Sequence, residues 1–483
     1  MFEHSKILKA VEQHAILTPN KLAFIVGDKQ ILYSQLMNEV LSTAVYMHSL
    51  GLRSKDKIIL SAHKEVEFIY VYLAAHVLGI VNVIIDAETN ADRVNYIETK
   101  IKPSYCFGYR SMSFPSKLFS EIEKSDERTL KADQFNVLSE DIAEILFTTG
   151  TTGDPKGVCL NYDNIYSSAN NINSFIGNTS DDIELLCLPI CHSFGLGRIR
   201  CNLLLGSTIV LLGGFANVRL VLNSIEKFHI TGFGMVPAAW AYLFKIGGTR
   251  FEKYASQIRY IEIGSAAMPI ETKKRILAMF PNTRICMHYG LTEASRSTFL
   301  EFHDKEHLMT IGKSVVPEVD VRIFNQEGKE VENGSYGEIC VRGNMVMAHY
   351  LDALDNKNAF YGEFFRTGDC GYKDNNGYIT LLGRDKELIN VGGKKVSPME
   401  VEDAICSLGV GDCVCVPMKD EKGFLGEVVK CYIQSGSTTL SFKEISAALT
   451  MKLEPYKRPV EYEWIDSIPK TGSGKKQRLK IMI

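Results

Sequence analysis

With 483 residues, the chain is too long for one ordinary domain and long enough to bury large cores. It is 45% hydrophobic and 23% charged, and its 54 Lys plus Arg nearly balance 57 Asp plus Glu, for a formal charge of −3. That balance leaves no electrostatic footprint for nucleic acid or a membrane surface, and neither is expected as a partner. The opening MFEHSKILKAVEQHA mixes charged with apolar residues and lacks the apolar core of a signal peptide. Twelve cysteines between Cys106 and Cys431 include one close pair, Cys413 and Cys415, and no CxxC. Thiols scattered in this way indicate a reducing compartment rather than a zinc site, so a cytoplasmic protein is expected.

The longest apolar stretch, FIYVYLAAHVLGIVNVIID from Phe68 to Asp86, is near membrane-spanning length, but Gly79 splits it and His76 and Asn82 interrupt it. It reads as a buried helix over 65–78 running into a buried strand over 81–85. Short runs rich in Val, Ile and Leu, such as KIIL at 57–60, TIVLL at 208–212 and YIEIG at 260–264, alternate with amphipathic stretches. Such alternation predicts a layered α/β fold with mainly parallel strands. After residue 325, turn clusters (NQEG, ENGSYG, DNNGY) flank the strand-like GEICVRG and GYITLLG, which predicts a β-rich subdomain of hairpins. After Arg384 the pattern resets to a strand at 387–391, a helix at 397–407, strands at 413–418 and 428–433, and a helix at 442–453. The expected organisation is a large N-terminal domain over 1–385 and a small α+β domain over 386–483.

The sharpest segment is ILFTTGTTGDPKGV, from Ile145 to Val158. An apolar strand feeds a loop in which Thr148, Thr149, Thr151 and Thr152 alternate with Gly150 and Gly153 ahead of Lys156. Hydroxyls and backbone N–H groups donate to phosphate oxygens, glycine admits a close backbone approach, and lysine adds a point charge. The segment is not a Walker A loop, because Pro155 takes the place of its last glycine and Gly157 that of its Ser/Thr. TTGTTGDPKG resembles the signature loop of the acyl-adenylate-forming superfamily: acyl- and aryl-CoA synthetases, peptide-synthetase adenylation domains and luciferases.

The family's other motifs follow in order. Gly264-Ser265-Ala266 is similar to the small-residue segment that lets adenine and the acyl group approach backbone. His288-Tyr289-Gly290-Leu291-Thr292-Glu293 resembles its YGxTE motif, which implies that Tyr289 flanks adenine, Thr292 holds the α-phosphate and Glu293 binds Mg²⁺. Arg366-Thr367-Gly368-Asp369 resembles the RTGD turn, implying that Asp369 accepts from both ribose hydroxyls, and Arg384 is placed to reach the ribose. Lys386 falls at the family's hinge position, and Lys475, in PKTGSGK, at its C-terminal catalytic lysine. Gly392 and Gly393 resemble the loop that lines a pantetheine tunnel, although two such glycines also suit a plain hairpin turn.

The resemblance implies an ATP-dependent ligase in which a mobile C-terminal domain serves two half-reactions. A carboxylic acid is first adenylated with release of pyrophosphate, and its acyl group then passes to a thiol with release of AMP. ATP, Mg²⁺ and coenzyme A are the implied cofactors and partners, with a carrier-protein phosphopantetheine as the alternative acceptor. His192, in LPICHSFGLG, falls where the family sets an aromatic or His beside the carboxylate. Amino-acid-activating relatives carry an Asp next, where this chain has Ser193, so an acid without an α-amino group is expected, fatty or aryl. Met235, Trp240, Met268 and Phe299 are pocket walls or ordinary core. A non-catalytic nucleotide-binding relative and a P-loop NTPase remain as alternative readings; the second would form ADP.

Overall fold

A computed structural model describes residues 2–123, 136–148, 155–421, 424–470 and 476–481. The large domain is built on two sheets whose inner strands are parallel. In the first, eight strands lie in the order Thr298–Glu301, Arg284–Tyr289, Tyr260–Ile263, Gly232–Met235, Ile183–Leu186, Thr208–Leu211, Leu22–Val26, Lys29–Leu32. In the second, seven strands run His349–Tyr350, Gly157–Asn161, Ile142–Phe147, Val81–Asp86, Lys57–Ala62, Tyr105–Phe107, Ser116–Lys117. Antiparallel pairs occur toward the edges, as where Gly157–Asn161 turns back on Ile142–Phe147 and pairs with His349–Tyr350. A third, antiparallel sheet of five strands includes Gly337–Arg342, Phe364–Lys373 and Ile379–Arg384, in agreement with the expected β-rich subdomain.

Two helices fill the space between layers, and their sequences show why. Val66–Leu78 is apolar all round, and every one of its residues but Glu67 is buried. With the strand Val81–Asp86 that follows, it accounts for the long apolar run. Among the described residues no helix is long and apolar enough to cross a membrane.

The helix Ser193–Leu205 is equally enclosed but carries two arginines, so each must find charge inside the protein. Arg198 reaches the eight-stranded sheet: its Nε donates to Glu184 at 2.8 Å, Nη1 to Glu262 at 3.3 Å and Nη2 to the Tyr260 hydroxyl at 3.2 Å. Arg200 reaches the seven-stranded sheet's layer, donating to Glu144 and, at 3.1 Å, to the Tyr72 hydroxyl. One helix therefore ties the two sheets together by two buried charge networks.

The small domain follows with its own apolar core, from Ile389 and Val396 through Val401, Cys413 and Cys431 to Leu449. Its hairpin Ile389–Val391/Lys394–Val396 leads to the helix Pro398–Cys406, the strands Cys413–Lys419 and Glu427–Gln434, and the helix Phe442–Leu449. A further strand, Glu461–Ile465, pairs parallel to Glu427–Gln434, where the sequence pattern suggested none. Its residues are half-buried or exposed, so it lacks the apolar run that marks a core strand.

Candidate active site

Three strands, Arg284–Tyr289, Phe364–Lys373 and Ile379–Arg384, bring three motif residues together. Asp369 lies in Phe364–Lys373 directly opposite Arg384 in the next strand. Its carboxylate is 2.8 Å from Arg384 Nε through one oxygen and accepts from the Tyr289 hydroxyl at 2.7 Å through the other. Burial works against the Arg384 charge, but Asp369 and Tyr289 more than restore it. The sequence motifs thus bring Tyr289, Asp369 and Arg384 into one hydrogen-bonded group.

Thr148 and Lys156 face each other across the base of the phosphate-loop candidate: Thr148 N donates to Lys156 O at 2.9 Å. Lys156 Nζ lies 2.9 Å from Asp355 Oδ1 and 4.9 Å from the centre of the Tyr350 ring. The Tyr350 hydroxyl donates to Glu293 Oε1 at 2.8 Å, and Met347 N donates to Glu293 O at 2.8 Å. One tyrosine therefore spans the lysine expected to meet phosphate and the carboxylate expected to hold Mg²⁺. Thr292, half-buried, precedes Glu293 in the same turn. Glu293 is 9% exposed and keeps a second oxygen for a ligand, and a hard cation takes such donors, so the residues fit Mg²⁺. The Lys156–Asp355 pair is half-exposed, so exchanging Asp355 for a phosphate costs little.

Gly264 follows the strand Tyr260–Ile263, with Ser265 at φ 74° and Ala266 next in the turn. A Cβ at Gly264 would lie 2.1 Å from His288 Cε1, so only glycine admits the imidazole there. His288 Nδ1 is 2.7 Å from Glu262 Oε1, and burial pushes its pKa below the ordinary value despite that carboxylate. Burial opposes ionisation of Glu262, yet Arg296, His288 and Arg198 together hold its pKa far below the carboxylate range. His288 thus rests on the charge network of the Ser193–Leu205 helix, with Gly290 two residues further along the chain.

His192 is the N-cap of that same helix and is solvent-accessible. It nevertheless sits among protein atoms, and the desolvation lowers its pKa, with Asp86 pulling the other way. Cys191 Sγ donates to Asp86 Oδ2 at 3.1 Å, and Asp86, Cys191 and His192 offer three possible metal-ligand atoms within 4.8 Å of one another. Spacing could not show this cluster, since Asp86 and Cys191 stand 105 residues apart. Arg93 Nη2 donates to Thr148 O at 3.2 Å, which brings the segment after Asp86 to the phosphate-loop side.

Of the other candidate residues, Thr149, Gly150, Thr151, Thr152, Gly153 and Lys475 lie outside the described residues. Lys386 is exposed in the single turn Asp385–Glu387 that joins the two domains. Gly392 and Gly393 make the hairpin turn, with φ of 58° and 83°, and Gly392 contacts Leu425 of the small domain itself. Phe299 is core, stacked on Phe175 at 4.4 Å, and Met235, Trp240 and Met268 are buried in one apolar cluster. Sequence reasoning passed over Tyr350, Asp355, Asp86 and Glu262, whose roles depend on neighbours distant in the chain.

Residues 11–351 match the AMP-binding enzyme family, and residues 400–475 match the AMP-binding enzyme C-terminal domain. The chain is 28% identical over 503 residues to a 2-succinylbenzoate–CoA ligase of Bacillus licheniformis, covering 100% of both chains. It is 32% identical over 371 residues to an oxalate–CoA ligase of Arabidopsis thaliana, covering 75% of this chain and 71% of that one. The solved structure of o-succinylbenzoate CoA synthetase from Bacillus subtilis, in complex with the acyl-adenylate intermediate OSB-AMP, superposes with a TM-score of 0.86 at 25% identity over 98% of each chain. With both parts of the family pattern matched in order and most of its length covered, the chain belongs to the AMP-binding enzyme family.

Proposed function

We propose that this protein is an AMP-forming acid–thiol ligase that activates a carboxylic acid with ATP and passes the acyl group to coenzyme A. The observation that carries the proposal is the grouping of Lys156, Glu293 and Tyr350 at one end and of Tyr289, Asp369 and Arg384 at the other, with the Glu293 charge acting on Arg384 between them. Those are a phosphate end and a ribose end. The large domain is assigned to 1–385 and the small, mobile one to 386–483, with Lys386 as the pivot.

A carboxylate resists nucleophiles, so the acid must first attack the α-phosphorus of ATP and displace pyrophosphate. Charge crowding at phosphorus dominates that barrier, and fixed donors aimed at its oxygens lower it. Thr148, Thr149, Gly150, Thr151, Thr152, Gly153 and Lys156 hold the phosphates, Thr292 the α-phosphate, and Lys475 the charge that builds there. Gly264, Ser265, Ala266, His288 and Gly290 shape the adenine side, and His192 orients the acid. Mg²⁺, when bound at Glu293, neutralises the leaving group. Gly392 and Gly393 then pass the pantetheine arm, after the small domain turns about Lys386.

The chain lacks an acidic residue after His192, and neither 2-succinylbenzoate nor oxalate, the acids named for two relatives, bears an α-amino group. A fatty or aryl acid without that group is therefore the proposed substrate. All twelve cysteines are free thiols, which supports a reducing, cytoplasmic setting. The test is a pyrophosphate-release screen across fatty, aryl and amino acids with ATP and Mg²⁺, followed by AMP release with coenzyme A or a phosphopantetheine carrier. The expected result is acid-dependent pyrophosphate with one fatty or aryl class and AMP with coenzyme A. Formation of ADP would sink the reading.

Gly264→Ala tests the adenine side. A Cβ 2.1 Å from His288 must displace the ring, at about 1–3 kcal/mol for an overpacked contact. The KM for ATP in pyrophosphate exchange is expected to rise about tenfold or more, since each 1.4 kcal/mol is a factor of ten. A lower melting temperature with an unchanged KM for ATP would assign Gly264 to packing alone.

A further inference from the structure

Asp86, Cys191 and His192 are held together by elements that cannot shift easily. Asp86 ends the strand Val81–Asp86 of one sheet. Cys191 and His192 lead into the helix Ser193–Leu205, which the Arg198 and Arg200 ion pairs fix to both sheets. One ligand atom from each of the three lies within 4.8 Å of the other two, and among the described residues no other such trio of side chains converges as closely. Asp86 Oδ1 accepts from Glu88 N at 2.9 Å, which leaves Oδ2 to face Cys191 Sγ at 3.1 Å. Cys191 is buried, Asp86 half-buried and His192 exposed, so the group opens to solvent on one side.

The donor set selects the ion. Thiolate, imidazole and carboxylate are all ligands of zinc, which binds tetrahedrally and, with three protein ligands, keeps one position open. Mg²⁺ is a hard cation that takes oxygen, and a site with one carboxylate suits it poorly. Basic neighbours do not bar a divalent ion here. Lys64 directs its ammonium to the Cys187 and Gly213 carbonyls at 2.6 and 3.1 Å, Arg93 donates to Thr148 O, and His63 Nε2 lies 2.9 Å from Gly108 O. Zinc with one thiolate and one carboxylate is also formally neutral, so it needs no further counter-charge.

We propose that Asp86, Cys191 and His192 form an inhibitory zinc site, whose occupation withdraws His192 from the acid. The inhibition rests on the reading of His192 as the residue that orients the acid; the binding of the ion does not. Without a metal the Cys191 thiol keeps its proton and donates it to Asp86, since burial and that carboxylate push its pKa up. When zinc binds, the S–H bond is exchanged for an S–Zn bond and the proton leaves to solvent. A ring nitrogen of His192 then holds the ion and no longer serves the acid. The nucleotide's residues, Lys156, Glu293 and Asp369 among them, are untouched.

Cobalt(II), which accepts the same donors, is the spectroscopic probe, and acid-dependent pyrophosphate exchange at saturating Mg²⁺ is the kinetic one. The full chain is expected to give a thiolate-to-cobalt charge-transfer band that zinc abolishes. Zinc is expected to raise the KM for the acid and leave that for ATP unchanged. Cys191→Ser should lose the band. Asp86→Asn should weaken cobalt binding about tenfold to a hundredfold or more, the loss that even an outer partner of a metal ligand causes. Both variants should relieve the zinc effect, and having two keeps the test alive where one fails to fold. Cys406→Ser, which breaks the thiol pair Cys406–Cys413 at 3.9 Å, should keep the band. No band in the unaltered chain, or a band that survives Cys191→Ser, would overturn the site. Zinc that raises the KM for ATP instead of that for the acid would overturn the inhibition. Exchange with no acid at all would bring down the ligase reading, while the cobalt band still decides the site.

Discussion

Lys475→Ala is expected to cut acid-dependent pyrophosphate exchange by about a hundredfold to a thousandfold or more, the cost of losing one donor aimed at transition-state charge. Thioester formation from supplied acyl-adenylate and coenzyme A should stay largely intact. The asymmetry follows from chemistry. Negative charge accumulates on the oxygens around phosphorus during adenylation, whereas thiol attack on the mixed anhydride builds it on the acyl carbonyl oxygen before AMP is expelled. The substitution is not expected to loosen the tail, because its flanks are anchored elsewhere. Lys470 Nζ is 2.6 Å and Lys476 Nζ 3.1 Å from Asp412, and Lys476 also donates to Glu402 at 2.9 Å. Separate assays of the two half-reactions decide the matter: equal losses in both would remove Lys475 from the adenylation step.

Arg198→Met should have the largest effect on stability. The guanidinium is wholly buried between Glu184 and Glu262, and removing it leaves Glu184 without its cation and Glu262 with Arg296 and His288 alone, in a region water does not reach. Breaking a buried pair in this way costs about 3–5 kcal/mol. Pairing it with Glu184→Met should recover part of that loss, since the two changes couple through one network. The chain has two tryptophans, and Trp240 is buried in the large domain, so its fluorescence in a Trp464→Phe background reports that domain alone. An unchanged urea midpoint for Arg198→Met would show that the network does not hold the sheets.

Much of the molecule was legible because function and backbone constrain residue type locally. The runs at 57–60, 208–212 and 260–264 are strands, and the apolar stretch after Glu65 is a helix and a strand. Tyr289, Asp369 and Arg384 were readable one by one as motif residues, and the fold adds their mutual hydrogen bonds. Tyr350 was not readable: it became part of the site only when His349–Tyr350 paired with the strand after the phosphate loop. Arg198 and Arg200 sit two residues apart and look alike in sequence, yet they serve different sheets, a difference that exists only once both sheets are present. The strand Glu461–Ile465 was hidden for the opposite reason, since its side chains face water and carry no apolar signature.

The helix that bears His192 at its start has consequences for how the enzyme works as a machine. Any slide or tilt of Ser193–Leu205 would strip ion pairs from two layers at once, so it behaves as bedrock against which other parts are measured. Relative motion then belongs to whatever lies beyond the Asp385–Glu387 turn, while the floor formed by Ser193–Leu205 stays put. Altering substrate preference should accordingly succeed by recarving side chains around that stationary floor rather than by moving it.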